Sequence, residues 1–325
     1  PDTTIIAPDR PDTPDTAPET GISSPRDGTV SRAAAPKSVA ASRIPLLLHS
    51  APMQPTIIVL NGERDWHSRF TGAEVVYRRI QDCAWVLRDG ELWCIDREAA
   101  NRVSGVLWRV GAIRPNERYR TALEIIRLSG VPCVNPAEVL LRGFDRLSML
   151  AELRAAGLPV VPFDVAVGDD MARRLGRKFP LVVKAGNHHA GLGKMRVSDP
   201  ESWGDVADLL FAVEEYVTVE PFIAYRRDVR CLAIGERFWT MEREGRGWKA
   251  NVDTRKYRLI SPPELLVAHT RAAMQHLRAD TLALDFLEQE DGQFVVLESN
   301  DTPGLSGFPD EVRDELADCL KRRMG

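Results

Sequence analysis

The chain has 325 residues, 44% of them hydrophobic, with a net charge of −4 and a pI near 6.0. That length supports two or three domains with real cores, and the acidic balance gives no overall attraction to nucleic acid. It holds no run of about 18 apolar residues, so no segment is expected to span a membrane.

Residues 1–55 stand apart. They carry ten of the 22 prolines, six of them in "PDTTIIAPDRPDTPDTAPETG" and the Ala/Ser-rich "SRAAAPKSVAAS". Such a stretch buries too little apolar surface to offset its ordering entropy, so it reads as a disordered or linker-like tail. Its Pro-Asp-Thr repeats also offer hydroxyls and carboxylates, which leaves a role as substrate open. "MQPTIIVLNG" from Met53 reads as a domain start.

From 56 onward short apolar runs alternate with helical spacing. "TIIVL" (56–60) and "GVLWRV" (105–110) read as buried strands. "NERYRTALEIIRLSG" (116–130) reads as a helix closed by glycine, and "VPCVN" as a further strand, giving an α/β domain over 56–137. "DRLSMLAELRAAGLPVVP" (145–162) is a helix closed by Gly157. "FPLVVKAG", "KMRVS", a helix near 200–211 and strands near 215–219 and 229–241 form an α+β middle. A helix near 262–279, a hairpin and a final helix (309–323) complete the chain. Five scattered cysteines (83, 94, 133, 231, 319) without a Cys-x-x-Cys pair read as reduced thiols of a cytoplasmic protein.

Three stretches carry chemistry. In "DFLEQEDGQFVVLESNDTPG" (285–304), Asp291-Gly292 is a strong hairpin signal. A two-residue loop there pairs 290 with 293, which sets Asp285 opposite Glu298 with Asn300 on the same face. Like charges directly opposed are destabilising. Two carboxylates and an amide oxygen suit a hard cation such as Mg²⁺, whereas acids that merely face solvent fit poorly between apolar runs. In "PLVVKAGNHHAGLGKM" (180–195) a strand delivers Lys184 into a loop with Gly186, Gly191 and Gly193, where backbone N–H groups approach an anion. The loop matches neither a Walker A sequence nor a dinucleotide fingerprint, and a plain hairpin is the alternative. In "VEPFIAYRRDVRCLAIGERFWTMER" (219–243), Glu220 to Ile223 form a segment whose backbone faces a planar base. Asp228, Arg230 and Arg243 lie on the strands that follow, as an anion clamp or as salt-bridged strand faces. "WKANV" adds Lys249 and Asn251.

In this order the motifs resemble the ATP-grasp superfamily and, within it, the RimK-type carboxylate–amine ligases, over about 139–308. The signature is a strand lysine, a glycine-rich flap, a hinge, Asp-x-Arg, an asparagine and "LESNDTPGL". The flap carries His188-His189 where the family often has Gly-Ser. The resemblance implies α/β and α+β architecture: a Rossmann-like N-terminal domain (56–137), a central subdomain with the flap (138–217) and a C-terminal subdomain with the metal site (218–325), nucleotide between the last two. It implies that Asp285, Glu298 and Asn300 hold two Mg²⁺ ions, with Mn²⁺ as a substitute. ATP would be held by Lys184 and Arg146, by flap residues Gly186, His189, Gly191 and Gly193, by the hinge Glu220, Phe222 and Ile223, and by Asp228 at the ribose. Arg230, Asn251 and Arg243 would act on the transferred phosphate. Arg109 and Arg114 are further candidates for anion contacts.

The function so implied is ATP-dependent activation of a substrate carboxylate as an acyl phosphate and its transfer to an amine, on an amino acid or peptide. Two alternatives stand beside it. One is a graspetide-type maturase forming ω-esters or ω-amides in a precursor peptide, and the other is a non-catalytic nucleotide-binding module. A homodimer is the expected assembly, with neither nucleic acid nor membrane as partner.

Overall fold

A computed structural model describes residues 4–6, 54–97, 99–111, 115–167, 171, 174–175, 178–188, 191–212, 216–245, 247–249 and 254–325. Strand β1 (Thr4–Ile6) lies within the stretch expected to be a tail. β2 (Thr56–Leu60), β3 (Glu74–Arg78), β4 (Ala84–Arg88), β5 (Glu91–Ile95), β6 (Ala100–Arg102) and β7 (Gly105–Trp108) follow, then helix α1 (Glu117–Ser129), β8 (Cys133–Val134) and α2 (Ala137–Arg142). β3, β2, β7 and β8 form a parallel sheet in that order. All five β2 residues are buried, as befits a parallel strand covered on both faces. Asn116 caps α1 by accepting from the Arg118 amide, and Gly130 ends it at φ 68°. Between β3 and β7 sits an antiparallel sheet, β4-β5-β6, absent from the sequence reading. Its first turn is Asp89-Gly90 with both φ positive and Arg88 opposite Glu91, a two-residue hairpin loop.

α3 (Arg146–Ala155), β9 (Asp164–Ala166), β10 (Leu181–Ala185), β11 (Lys194–Val197), α4 (Pro200–Ala212) and β12 (Val217–Pro221) come next. The four strands form an antiparallel sheet in the order β11-β10-β12-β9. Leu181, Val183, Val197, Val217 and Val219 face Trp203 and Ala207 of α4. Val182 and Lys184, on alternate positions, face the other way.

β13 (Tyr225–Ile234), β14 (Arg237–Glu244), β15 (Lys256–Ile260), α5 (Glu264–Leu277), β16 (Thr281–Gln289), β17 (Phe294–Asn300) and α6 (Glu311–Met324) complete the chain. The run expected as strand near 229–241 is two strands, turned at Gly235 (φ 56°) with Ile234 opposite Arg237. The large sheet has the order β1-β15-β14-β13-β16-β17, and β1 joins its edge antiparallel to β15. One face, with Val229, Cys231, Leu284, Phe286 and Val296, packs on α3 and α5. The other is apolar at one end, where Leu232, Met241 and Ala283 meet Leu316 and Leu320 of α6. At its other end it carries Arg230 and Asp285. Burying side chains such as Phe286 contributes about 1.5–3 kcal/mol each, so both apolar surfaces hold the polar end in a fixed place. Among the described residues no helix is long and apolar enough to cross a membrane.

Candidate active site

The acidic hairpin meets its expected pairing by a different route. The loop is three residues long: Gln289 N–H donates to Gln293 O, Gly292 has φ 84°, and Glu288 faces Phe294. A bulge between Asp285 and Phe286 on β16, taking up Leu297 on β17, then shifts the register by one. The two offsets cancel, and Asp285 stands directly opposite Glu298, Leu284 opposite Ser299 and Ala283 opposite Asn300. Across the sheet, Arg230 is paired with Asp285, so Arg230, Asp285 and Glu298 form one row over three strands.

The like charges are compensated from within the protein. Arg230 donates Nε to Asp285 Oδ1 at 2.7 Å and Nη2 to Oδ2 at 2.8 Å. Arg243 Nη2 lies 3.1 Å from Asp285 Oδ1 and also donates to Asp228. Asp228 is buried against this pair, so the structure places it with the charged row and not in an apolar slot for a nucleoside. Lys194 Nζ and Arg146 Nη1 stand 3.7 and 3.9 Å from Glu298 Oε2. Burial pushes the Glu298 carboxyl up, but Lys194 and Arg146 overcome this and hold it at about 2. Burial likewise opposes charge on Arg230, and Asp285 outweighs it and raises its pKa. The Arg230–Asp285 pairing is charge-assisted and fork-shaped.

Lys184 is buried on β10, bonded to both carboxylate oxygens of Glu220 on β12, the longer contact being 2.6 Å. Burial lowers the lysine pKa, and Glu220 works against that shift. Lys194, which the sequence reading passed over, faces Lys184 across the flap hairpin. Counting back from the flap glycines would have found it, since Ala185 N–H donates to Gly193 O and fixes the register. Gly186, Gly191 and Gly193 have φ of 52°, 76° and 62°, the left-handed region that favours glycine. Arg146 begins α3, where Asp145 caps the helix through the Ser148 amide. It donates from Nη2 to His188 O, and its own amide takes Asn187 Oδ1 at 3.0 Å. Lys249 Nζ donates to Gly191 O at 3.0 Å, tying the flap to the loop after β14. His189, Asn251 and Arg114 lie outside the described residues.

Beside this cluster an apolar slot is lined by Val161, Val182, Phe222, Ile223, Trp248, Leu287 and the bulge residue Leu297. Trp248 meets Phe222 edge-on at 6.3 Å, and Arg196 stacks on the other ring at 4.1 Å. Phe222 N–H is committed to Pro180 O at 3.1 Å, so its part in the hinge is its ring and not its amide. Glu220 likewise uses its side chain on Lys184. Arg109 is buried: Nη1 donates to Pro303 O at 3.0 Å, supporting the "NDTPG" loop, and Nη2 lies 3.5 Å from Glu63 Oε1.

A second cleft of about 320 Å³ opens on the same acids, lined by Trp108, Tyr119 and Phe144 on one side and by Arg230, Glu298, Asn300 and Asp301 on the other. Asn135, buried, holds one wall: Oδ1 accepts from the amides of Asp280 (2.7 Å) and Thr281 (2.9 Å). Its Nδ2 donates to Thr281 O (2.7 Å) and Asp301 O (2.6 Å). No sequence motif singled out Asn135. Burial raises the Asp301 carboxyl to about 7.

The donor set fits an oxygen-seeking cation with polyphosphate. Asp285 and Glu298 face each other with Asn300 Nδ2 3.4 Å from Asp285. Among the described residues the buried Nε atoms of Arg146 and Arg243 have no acceptor, as is also true of Arg69, Arg78, Arg109 and Arg313 elsewhere, and buried donors normally have one. Among the described residues no three of His, Cys, Asp or Glu converge on a point, so a cation here would complete its oxygen shell from Asn300 and the phosphates.

A family model described as "Synapsin, ATP binding domain" matches residues 170–302. The Glutamate–LysW ligase of Sulfolobus acidocaldarius is 24% identical over 238 residues, 65% of this chain and 81% of its own. The solved D-alanyl-alanine synthetase A of Vibrio cholerae aligns with a TM-score of 0.65 at 16% identity, over 84% of this chain and 99% of the other. A RiPP-associated ATP-grasp ligase of Chryseobacterium gregarium, solved with ADP and a leader and core peptide, aligns with a TM-score of 0.61 at 13% identity, over 83% and 97%. The chain thus has the fold of solved ATP-grasp ligases, carries a match to an ATP-binding domain over 170–302, and is similar in sequence to ligases that act on glutamate.

Proposed function

We propose that the protein activates the carboxylate of a small amino acid of the glutamate class as an acyl phosphate and passes it to an amine of an amino acid or peptide. The observation that carries this reading is the row Arg230–Asp285–Glu298, which faces Lys184 and Lys194 across the gap between two sheets. The glutamate class is suggested by the Sulfolobus relative's name.

Asp285, Glu298 and Asn300 would hold Mg²⁺, and two ions rather than one match two carboxylates that face each other. Bound there, the metal would neutralise phosphate charge during transfer. The rest falls to the chain. The apolar slot takes the adenine, with the Phe222 and Trp248 rings as its walls. Lys184 and Lys194 flank the phosphates, and the orphaned Nε donors of Arg146 and Arg243 are aimed where phosphate oxygens can accept. A substrate carboxylate oxygen attacks the γ-phosphorus, the bridging P–O bond breaks and ADP leaves. A neutral amine then attacks the acyl carbon, loses a proton and expels phosphate. The flap over 186–194 shields the intermediate from water. This chemistry needs no side-chain nucleophile. Five free thiols fit a reducing cytoplasmic setting.

The test is turnover of ATP with Mg²⁺ and L-glutamate in the presence of hydroxylamine, reading ADP, phosphate and hydroxamate. Equal amounts of all three are expected. AMP and pyrophosphate would replace the acyl phosphate with an adenylate. Silence with free amino acids but loss of one water from a peptide would make the protein a peptide maturase.

A further inference from the structure

We propose that Asp301 is the subsite for a substrate ammonium group. The proposal rests on the ligase reading above. Asp301 lines the cleft of about 320 Å³ together with Glu298, Asn300 and Arg230, so a molecule seated on it lies beside the atoms that would activate the carboxylate. It is nonetheless separate from the facing acids, because among the described residues no three of His, Cys, Asp or Glu share a point.

The position of this carboxylate is fixed from three directions. Its own carbonyl accepts from Asn135 Nδ2 at 2.6 Å, and the next carbonyl but one, of Pro303, accepts from Arg109 Nη1 at 3.0 Å. On the opposite wall, a Cβ at Gly143 would come within 3.1 Å of Asp301 Oδ2, so the absent side chain makes room for the carboxylate. What the carboxylate lacks is a cation. Its side-chain hydrogen bond is a long one, 3.5 Å from Thr302 Oγ1, and among the described residues no lysine, arginine or histidine lies within ion-pair distance. The acids of the charged row and its neighbours are matched by cations: Asp285 by Arg230 and Arg243, Asp228 by Arg243, Glu220 by Lys184, Glu298 by Lys194 and Arg146, while Asp145 in the same cleft accepts from the Ser148 amide and hydroxyl as the cap of α3. A half-buried carboxylate without a cation is costly, and a ligand –NH₃⁺ would supply charge-assisted hydrogen bonds. Trp108, Tyr119 and Phe144 opposite it would cover the carbon chain of such a ligand. The role is binding and placement; an acceptor held as its ammonium passes one proton to water before its lone pair attacks.

Both substrates of a carboxylate–amine ligase can carry an ammonium, and the experiment separates them. Asp301→Asn and Asp301→Glu are compared with the unaltered protein, using L-glutamate or glutarate as donor and hydroxylamine or n-propylamine as acceptor. If the donor's α-ammonium sits on Asp301, Asp301→Asn raises KM for glutamate about tenfold or more and leaves glutarate unchanged. If the acceptor's does, the same variant lowers propylamide formation about tenfold while hydroxamate from glutarate is unchanged. Asp301→Glu restores part of either loss. Equal effects on all four pairings, or none, overturn the proposal. If the unaltered protein activates neither donor, the ligase substrate reading has failed on its own. The inference is then decided without turnover, by titrating n-propylammonium against 1-propanol and following the Trp108 indole by NMR. A preference for the cation that Asp301→Asn abolishes supports the subsite, and no preference overturns it.

Discussion

Arg230 grips Asp285 with two prongs of its guanidinium, at 2.7 and 2.8 Å, while Arg243 reaches the same carboxylate at 3.1 Å. Asp285 is fully buried, so two cations share one buried anion. Its removal would take from Arg230 its bidentate partner and leave Arg243 with Asp228 alone. Asp285→Ala is therefore expected to lower the stability of the metal-free protein by about 3–5 kcal/mol, the usual cost of breaking a buried pair. ATP turnover should fall about a thousandfold. Asp285→Asn keeps the shape, so it should lose turnover with a smaller stability change. Urea denaturation beside steady-state kinetics reads both, and full activity in either variant would remove Asp285 from the metal site.

Lys194 and Lys184 face each other across the flap but are held differently. Lys184 is buried on Glu220, whereas Lys194 stands 3.7 Å from Glu298, at the edge of the gap. Lys194→Met should raise KM for ATP about tenfold and cost about 1 kcal/mol of stability, since Glu298 loses one of its two cations but keeps Arg146. Lys184→Met should cost several times more stability, because it leaves Glu220 buried alone. The ranking of the two variants by thermal melting is the check.

The same local signals account for what the sequence could and could not reveal. Asp291-Gly292 located the acidic hairpin, yet turn residues alone did not give the loop length, and the Leu297 bulge was invisible because no residue type marks it. The Asp285–Glu298 pairing came out as expected because the two departures cancel. Asp89-Gly90 carries the same signal and makes a true two-residue hairpin, but its flanking runs, "AWVLR" and "ELWCI", are short and mostly half-exposed, so their alternation is faint. Lys184, Glu220, Asp228, Arg230, Arg243, Asp285 and Glu298 were legible because each sits on a strand of strong period, whereas Lys194 on β11 was passed over. Their pairings were not: Arg109 going to Pro303 O, or Glu220 to Lys184, depends on which strands become neighbours.

Asn135 shows the limit of motif reading most plainly. A single side chain makes four hydrogen bonds to backbone groups of residues 280, 281 and 301, about 150 positions away in the chain by loop-closure standards. Asn135→Ala leaves all four groups without this partner, at about 1–3 kcal/mol for each one that stays dry. Water entry will relieve some, so a loss of about 3 kcal/mol in urea unfolding is expected. KM for ATP should change little, because the apolar slot is lined by other elements.

Glu152 ties three helices together: it accepts from Arg142 Nε at 2.9 Å on α2 and meets His276 Nε2 at 2.8 Å on α5. Hydrogen bonding by Arg142 is the largest cause that holds its carboxyl below the usual value of 4.5. A depressed carboxylate contributes stability that is present above the unfolded pKa and lost as pH falls through the folded one. The clasp should thus add about 1 kcal/mol at pH 6, discounted for partial exposure, and fade below pH 4.5. Glu152→Gln should melt lower than the unaltered protein at pH 6 and converge with it near pH 3. A melting difference constant over that range would contradict the assignment.

Gly193 sits where the flap turns back, at φ 62°, with the position of a Cβ 3.0 Å from Ala185 O and 3.2 Å from His188 Nδ1. Two costs meet in Gly193→Ala: the left-handed conformation is worth about 1–2 kcal/mol against an L side chain, and the backbone oxygen cannot swing away as a side chain could. The amide of Ala185 donates to Gly193 O at 2.8 Å, so strain at 193 loosens the bond that sets Lys184 opposite Lys194. Global stability should drop by about 1–3 kcal/mol. The more telling readout is coupling. A flap that closes poorly admits water to the acyl phosphate, so phosphate released per amide formed should rise above one in Gly193→Ala while remaining near one in the unaltered protein. A variant that is slower but still fully coupled would mean that the flap positions phosphate without shielding the intermediate.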